Sequence, residues 1–120
     1  MDVQKIREQC LNWYEQLEIE TRKLISDKRY LEKKREMENF TKNNLEKIAN
    51  PKYELFSTVK QNCIKSYEDS IFFLRERQIF EKEGKLEWRY FGYLFDVTNN
   101  KINYRTAPGY IPEEQLASLN

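Results

Sequence analysis

The sequence predicts an α+β fold, predominantly α: a long antiparallel helical hairpin carrying a C-terminal two-stranded β-hairpin and a short terminal helix. Three observations predict it. Apolar residues recur at helical spacing over residues 2–83, interrupted by Asn50-Pro51; the period changes to two after Gly84; and the chain holds only three Gly and three Pro. At 120 residues it suits one domain, since cores usually split only beyond roughly 250 residues.

Residues 2–49 place Val3, Ile6, Cys10, Trp13, Leu17, Leu24 and Leu31 on a stripe that settles into a heptad repeat, the pattern of a long helix of coiled-coil type. Between Asp27 and Glu38 nine of twelve residues are charged, so the middle of this helix is thinly cored. Ser26 and Asp27 offer N-caps that would split it in two, but the lack of Gly and Pro before residue 51 favours one helix. Pro51 blocks continuation and suits the first position of a second long helix, residues 51–83. Its stripe is Phe56, Val59, Cys63, Tyr67, Ile71, Leu74 and Gln78, and Gly84 is its stop. The short connection predicts antiparallel neighbours, with Leu31 facing Ser70 and Ile71 and Leu24 facing Arg77.

Residues 86–107 alternate with period two around Asn99-Asn100, a pair that tolerates the left-handed backbone of a tight turn. A two-residue loop there pairs Val97 with Ile102, Phe95 with Tyr104 and Tyr93 with Thr106. Phe91, Tyr93, Phe95, Val97, Ile102 and Tyr104 then share an apolar face, which the first helix's N-terminal third, Val3, Ile6, Cys10 and Trp13, is expected to cover. In residues 108–120, Pro108-Gly109 reads as a turn and Ile111 to Leu116 as a short helix with Pro112 and two acids at its start.

His is absent, which excludes Ser-His-Asp and Cys-His catalysis and His metal ligands together. No Gly-rich phosphate loop is present. The nearest approach to a nuclease pattern is Glu83-Gly84-Lys85, with Asp69 or Asp96 as a second acid, and one Glu-x-Lys in a chain this charged is expected by chance. The chain is therefore expected to be non-enzymatic, with no metal and no cofactor. Cys10 and Cys63 lie on apolar stripes and read as buried thiols. No run of 18 apolar residues is present and the N-terminus does not read as a secretory leader, so a cytoplasmic or nuclear location is expected. Scarce Ala and Gly beside abundant Lys, Asn, Ile, Phe and Tyr suit an AT-rich genome such as that of a phage or mobile element.

Two features point to a macromolecular partner. Trp88, Tyr90 and Arg105, on the hairpin face opposite the apolar one, and Tyr110 nearby interleave aromatic and basic residues, and such residues anchor protein interfaces. They also suit stacking on single-stranded nucleic acid, but a net charge of +1 is not the footprint of a phosphate-tracking surface. The second feature is a charge split: residues 8–20 carry −4 and residues 22–35 carry +5. On one continuous helix Glu8, Glu15, Arg22, Arg29 and Lys33 form a ridge complementary to an antiparallel copy of itself, which predicts a homodimer. The expected function is a protein–protein interaction module, an adaptor or inhibitor that occludes a partner's surface. A small nucleic-acid-binding regulator using residues 22–35 and the aromatic hairpin is the alternative.

Overall fold

The structure, a computed structural model, describes residues 3–24, 28–61, 70–96, 101–103 and 109–118. Two helices come first, α1 (Val3–Leu24) and α2 (Lys28–Asn44), the second running into a 3-10 turn at Leu45–Lys47. Six strands follow: β1 (Thr58–Gln61), β2 (Ser70–Lys82), β3 (Lys85–Asp96), β4 (Lys101–Asn103), β5 (Ile111–Pro112) and β6 (Leu116–Ser118). They form one antiparallel sheet in the order β4-β3-β2-β1-β6, with β5 beside β3.

This overturns the expected predominance of helix. Neither a helical hairpin nor a coiled coil is present among the described residues, and the first helical segment is two helices rather than one. Residues 70–82, placed in a second long helix by their spacing, are strand. The physical reason lies in Ile71-Phe72-Phe73-Leu74, four consecutive buried residues. A helix covered on one side buries only a stripe, whereas a strand covered on both faces buries every residue. A β-bulge at Arg75 then adds one residue, so that Phe73 and Glu76, like Leu74 and Arg77, share a face at a spacing of three. That spacing imitates a helix. Leu31, expected to pack on Ser70 and Ile71, is 54% exposed.

The dominant hairpin is β2–β3, paired from Ser70↔Asp96 to Lys82↔Lys85. Glu83 (φ 51°) and Gly84 (φ 80°) are both left-handed, as a two-residue type I′ turn requires. Gly84, expected to stop a helix, instead turns a hairpin. The anticipated β3–β4 hairpin exists in a different register: Phe95 pairs with Ile102 and Asp96 with Lys101. The slip of two residues keeps the same side chains on the same face. Val97, Asn99, Asn100, Tyr104 and Thr106 lie outside the described residues. The expected terminal helix is reduced to a 3-10 turn at Glu113–Gln115, because the residues flanking it pair with the edges of β3 and β1.

Alternation along β2 and β3 sends side chains to two separately covered faces. On the outer face Ile71, Phe73, Tyr93 and Phe95 pack with Ile6 and Cys10 of α1, so the predicted cover of Tyr93 and Phe95 by the first helix is present. On the inner face Phe72, Leu74, Ile79, Trp88, Tyr90 and Leu94 pack with Tyr53, Val59, Ile111 and Leu116. Gly92 sits opposite Leu74 at the bulge. A Cβ there would clash with the Phe73 carbonyl oxygen, so only glycine admits this approach of the two backbones.

The sheet curls around its inner face. The chain from Pro112 to Leu116 reaches at most about 14 Å. In a flat sheet β5 and β6 would be four strand spacings apart, about 19 Å. The C-terminal segment therefore crosses the inner face and is tied there. The Tyr90 hydroxyl accepts from Tyr53 N–H (3.2 Å) and donates to Glu113 Oε2 (2.5 Å), which also accepts from Lys52 N–H (2.9 Å). Tyr53 Oη donates to the Leu116 carbonyl (2.9 Å).

Beyond the bulge the free edge of β2 is covered by α2. Ile79 N–H donates to Thr41 Oγ1 (2.9 Å), and the same hydroxyl donates to Gln78 Oε1 (2.5 Å). A side chain thus replaces a missing neighbour strand. Segment 56–57 supplies the pairing at the bulge, with Phe56 N–H donating to Leu74 O (2.7 Å) and Leu74 N–H to Ser57 O (2.9 Å). Phe56 is left-handed (φ 64°), an unfavourable state for a bulky residue, and Arg7 Nε holds its carbonyl at 2.9 Å.

Three substitutions read these constraints in urea unfolding. Glu83→Gly relieves the left-handed turn and is expected to stabilise by about 0.5–1 kcal/mol. Gly92→Ala drives a methyl into backbone and is expected to cost about 2 kcal/mol or more. Thr41→Val strands the Ile79 N–H and is expected to cost about 1–3 kcal/mol.

Candidate interaction surface

The outer face of the β2–β3 ribbon is covered by α1 only over its inner half. Past the bulge the same face carries Glu76, Gln78 and Phe80 from β2 and Glu87, Arg89 and Phe91 from β3. Phe80 and Phe91 are half-buried there. Tyr110, just before β5, lies between them: its ring centroid is 5.3 Å from that of Phe80 and 5.7 Å from that of Phe91. The Arg89 guanidinium lies 4.7 Å from the Phe80 centroid, and Phe91 is 6.2 Å from Tyr93, which leads back into the covered half. Three rings and one guanidinium therefore form a continuous platform.

Polar contacts fix the platform. Tyr110 Oη donates to Glu76 Oε2 (2.5 Å), and Lys34 Nζ of α2 approaches Glu76 Oε1 at 3.1 Å. Arg89 pairs with Glu87, Nη2 to Oε1 2.6 Å. Each cation on the platform is matched by a carboxylate, and the hairpin tip beyond it carries Glu81, Lys82, Glu83 and Lys85, again two of each sign. The surface is aromatic, prearranged and close to neutral.

Of the three described residues among the four expected to anchor a partner, Tyr110 is the one on this platform. Trp88 (6% exposed) and Tyr90 (1% exposed) point to the inner face and belong to the core. Trp88 Nε1 donates to the Ala49 carbonyl (2.8 Å), joining the sheet to the end of the helical segment. Both were expected to face solvent because a lone hairpin covered by one helix has one wet face; here the curled sheet dries the other. Arg105 lies outside the described residues. Phe80 and Phe91 were not singled out as anchors, Phe80 because it fell within an expected helix and Phe91 because its face was assigned wholly to packing. Their signal in the sequence was the cross-strand juxtaposition of aromatics, legible only once the β2–β3 register is known.

The charge ridge does not run along a single helix. Glu8, Glu15 and Arg22 belong to α1 and Arg29 and Lys33 to α2. Glu8 and Lys33 are exposed, and the side chains of Glu15, Arg22 and Arg29 lie outside those described. Asp69 also lies outside the described residues. Glu83 and Lys85 occupy an exposed hairpin tip. Among the described residues no group of three or more Cys, Asp or Glu side chains is arranged to hold a metal ion, and no helix is long and apolar enough to cross a membrane.

Two hollows are formed near these elements. One, of about 240 Å³, is lined by Ile48, Ala49, Leu86 and Trp88 together with Glu87, Glu113 and Glu114. The other, of about 320 Å³, runs between α2 and the edge of β2. Comparison of the chain with family models, with curated proteins and with solved structures finds no match.

Two buried groups make stability depend on alkaline pH. Burial pushes the Cys10 thiol up to about 12 from 9.0. Burial, and then the hydrogen bond to Glu113, push the Tyr90 phenol well above its usual 10.0. The folded chain keeps both protons where the unfolded chain loses them, so their contribution is full below about pH 9 and is lost as pH rises from there toward the folded values. Each group is expected to remove up to about 1.4 kcal/mol per pH unit. Urea midpoints between pH 8 and 11 measure the decline, and Cys10→Ala is expected to remove its earliest part.

Proposed function

We propose that this chain is a non-enzymatic protein-binding module, an adaptor or inhibitor that occludes a partner's surface with the platform of Phe80, Arg89, Phe91 and Tyr110. The observation that carries this reading is three half-buried rings and a guanidinium locked in one arrangement by the Tyr110–Glu76 and Arg89–Glu87 contacts. Aromatic and Arg side chains dominate interface hot spots, and groups already immobilised lose little entropy on binding. The pairing of each platform cation with a carboxylate favours a protein over nucleic acid, whose phosphates need uncompensated positive charge. A free, buried Cys10 fits a reducing compartment, the cytoplasm or nucleus. An AT-rich coding composition fits a phage or mobile element as the source.

Recovery of partners from a lysate of the source cell by the tagged protein tests this reading. Wild type is expected to retain a specific protein, and Phe91→Gln, shown to be folded by its thermal transition, is expected to bind it at least ~10-fold more weakly. Equal retention by both would overturn the platform's role. A salt-sensitive shift of single-stranded oligonucleotide, lost in Phe91→Gln, would replace it with base stacking. Self-association is a separate proposal, in which the acidic half of α1 meets the basic start of α2 on a second copy. Light scattering at low and high salt decides it: a dimer that dissociates with salt supports it, and a monomer in both ends it.

A further inference from the structure

The groove between α2 and the edge of β2 goes beyond the platform. Met37 and Phe40 of α2 form one wall and Ile79 and Phe80 of β2 the other, and the lining residues that carry charge are Glu36 and Glu81, both exposed. Its volume, about 320 Å³, lies at the small end for a bound small molecule, roughly 300–1,000 Å³. It suits one or two apolar side chains of a larger partner. Beside the groove α2 is fixed to the β2 edge by Thr41, whose hydroxyl accepts from Ile79 N–H, and by the Lys34–Glu76 pair, while Met37 and Phe40 line the opening.

We infer that this groove is a docking site for a peptide segment that inserts an apolar side chain between Met37 and Ile79 and flanks it with Lys or Arg facing Glu36 and Glu81. Charge complementarity selects this occupant: the lining carries two carboxylates and no cation, so a segment flanked by acids is repelled and an uncharged one forgoes both ion pairs. Met37 adapts to differently shaped apolar side chains, as methionines in helix-in-groove sites do. Phe80 belongs to both the groove and the platform, so a partner seated on one surface extends naturally over the other.

A displayed random library of twelve-residue peptides, panned against the whole protein and separately against the Glu36→Lys, Glu81→Lys double variant, tests the inference. Both positions are exposed, so the variant is expected to fold, and its thermal transition checks this. Wild type is expected to enrich peptides with an apolar residue flanked by Lys or Arg, and the variant peptides flanked by Asp or Glu. Peptides selected on wild type are expected to bind the variant about 3- to 10-fold more weakly, the effect of two exposed ion pairs. The same motif on both proteins, or no enriched motif, would overturn the groove assignment. So would a wild type whose groove is closed by a second copy, seen as a dimer that Glu36→Lys with Glu81→Lys dissociates. Binding of the selected peptides to Phe91→Gln separates the two surfaces. Retention there, with loss of the lysate partner, leaves both assignments standing; retention of both means that the platform fails while the groove holds.

Discussion

The fold depends on one irregularity, the bulge at Arg75 opposite Gly92. An extra residue on β2 and a missing side chain on β3 shift the ladder by one and let the two backbones approach closely. The bulge divides a single long hairpin into two regions. Before it, four apolar residues in a row are buried by α1 on one face and by the curled sheet on the other. Beyond it the outer face opens and the edge of β2 loses its neighbour strand, so an aromatic platform and an edge-covering helix follow from the same geometric event.

Closing the curled sheet requires polar as well as apolar contacts. Tyr53, Tyr90 and the C-terminal pair Glu113 and Leu116 come from three separate parts of the chain, and each buried hydroxyl among them finds a partner. Two phenols do here what a longer strand pairing would do in a flat sheet, joining the segment after the helices to the C-terminal crossing. This also explains why Trp88 and Tyr90 are spent on the core. Their polar atoms reach Ala49 and Glu113 inside the fold, while Phe80, Phe91 and Tyr110 stay half-buried on the other face.

Neutrality organises the exposed surfaces. Charge is abundant in the chain, yet around the platform it is cancelled locally by short pairs, so contact there is decided by shape and aromatic area. The groove beside it differs, because its two lining carboxylates have no cation of the lining to face them. A surface of this kind discriminates among partners by the sign of a few flanking charges while drawing its affinity from apolar side chains.

Several features were legible from residue order alone. The end of the helical segment before Pro51, the period-two run after Gly84, and the packing of Tyr93 and Phe95 on Ile6 and Cys10 are set by local backbone preferences and alternation, whereas Gly84, read as the stop of a helix, closes a hairpin instead. The identity of residues 70–82 was not. Their spacing satisfies a helix and a bulged strand equally, and only the presence of cover on both faces decides for strand. The candidate surface shared that fate, because which rings are buried depends on where the sheet curls and where α1 ends its cover. Sequence by itself determined the alternation after Gly84 and which apolar side chains were candidates for burial. The tertiary structure decided which of those side chains water still reaches, since a curled sheet has two faces to fill and too few elements to cover both.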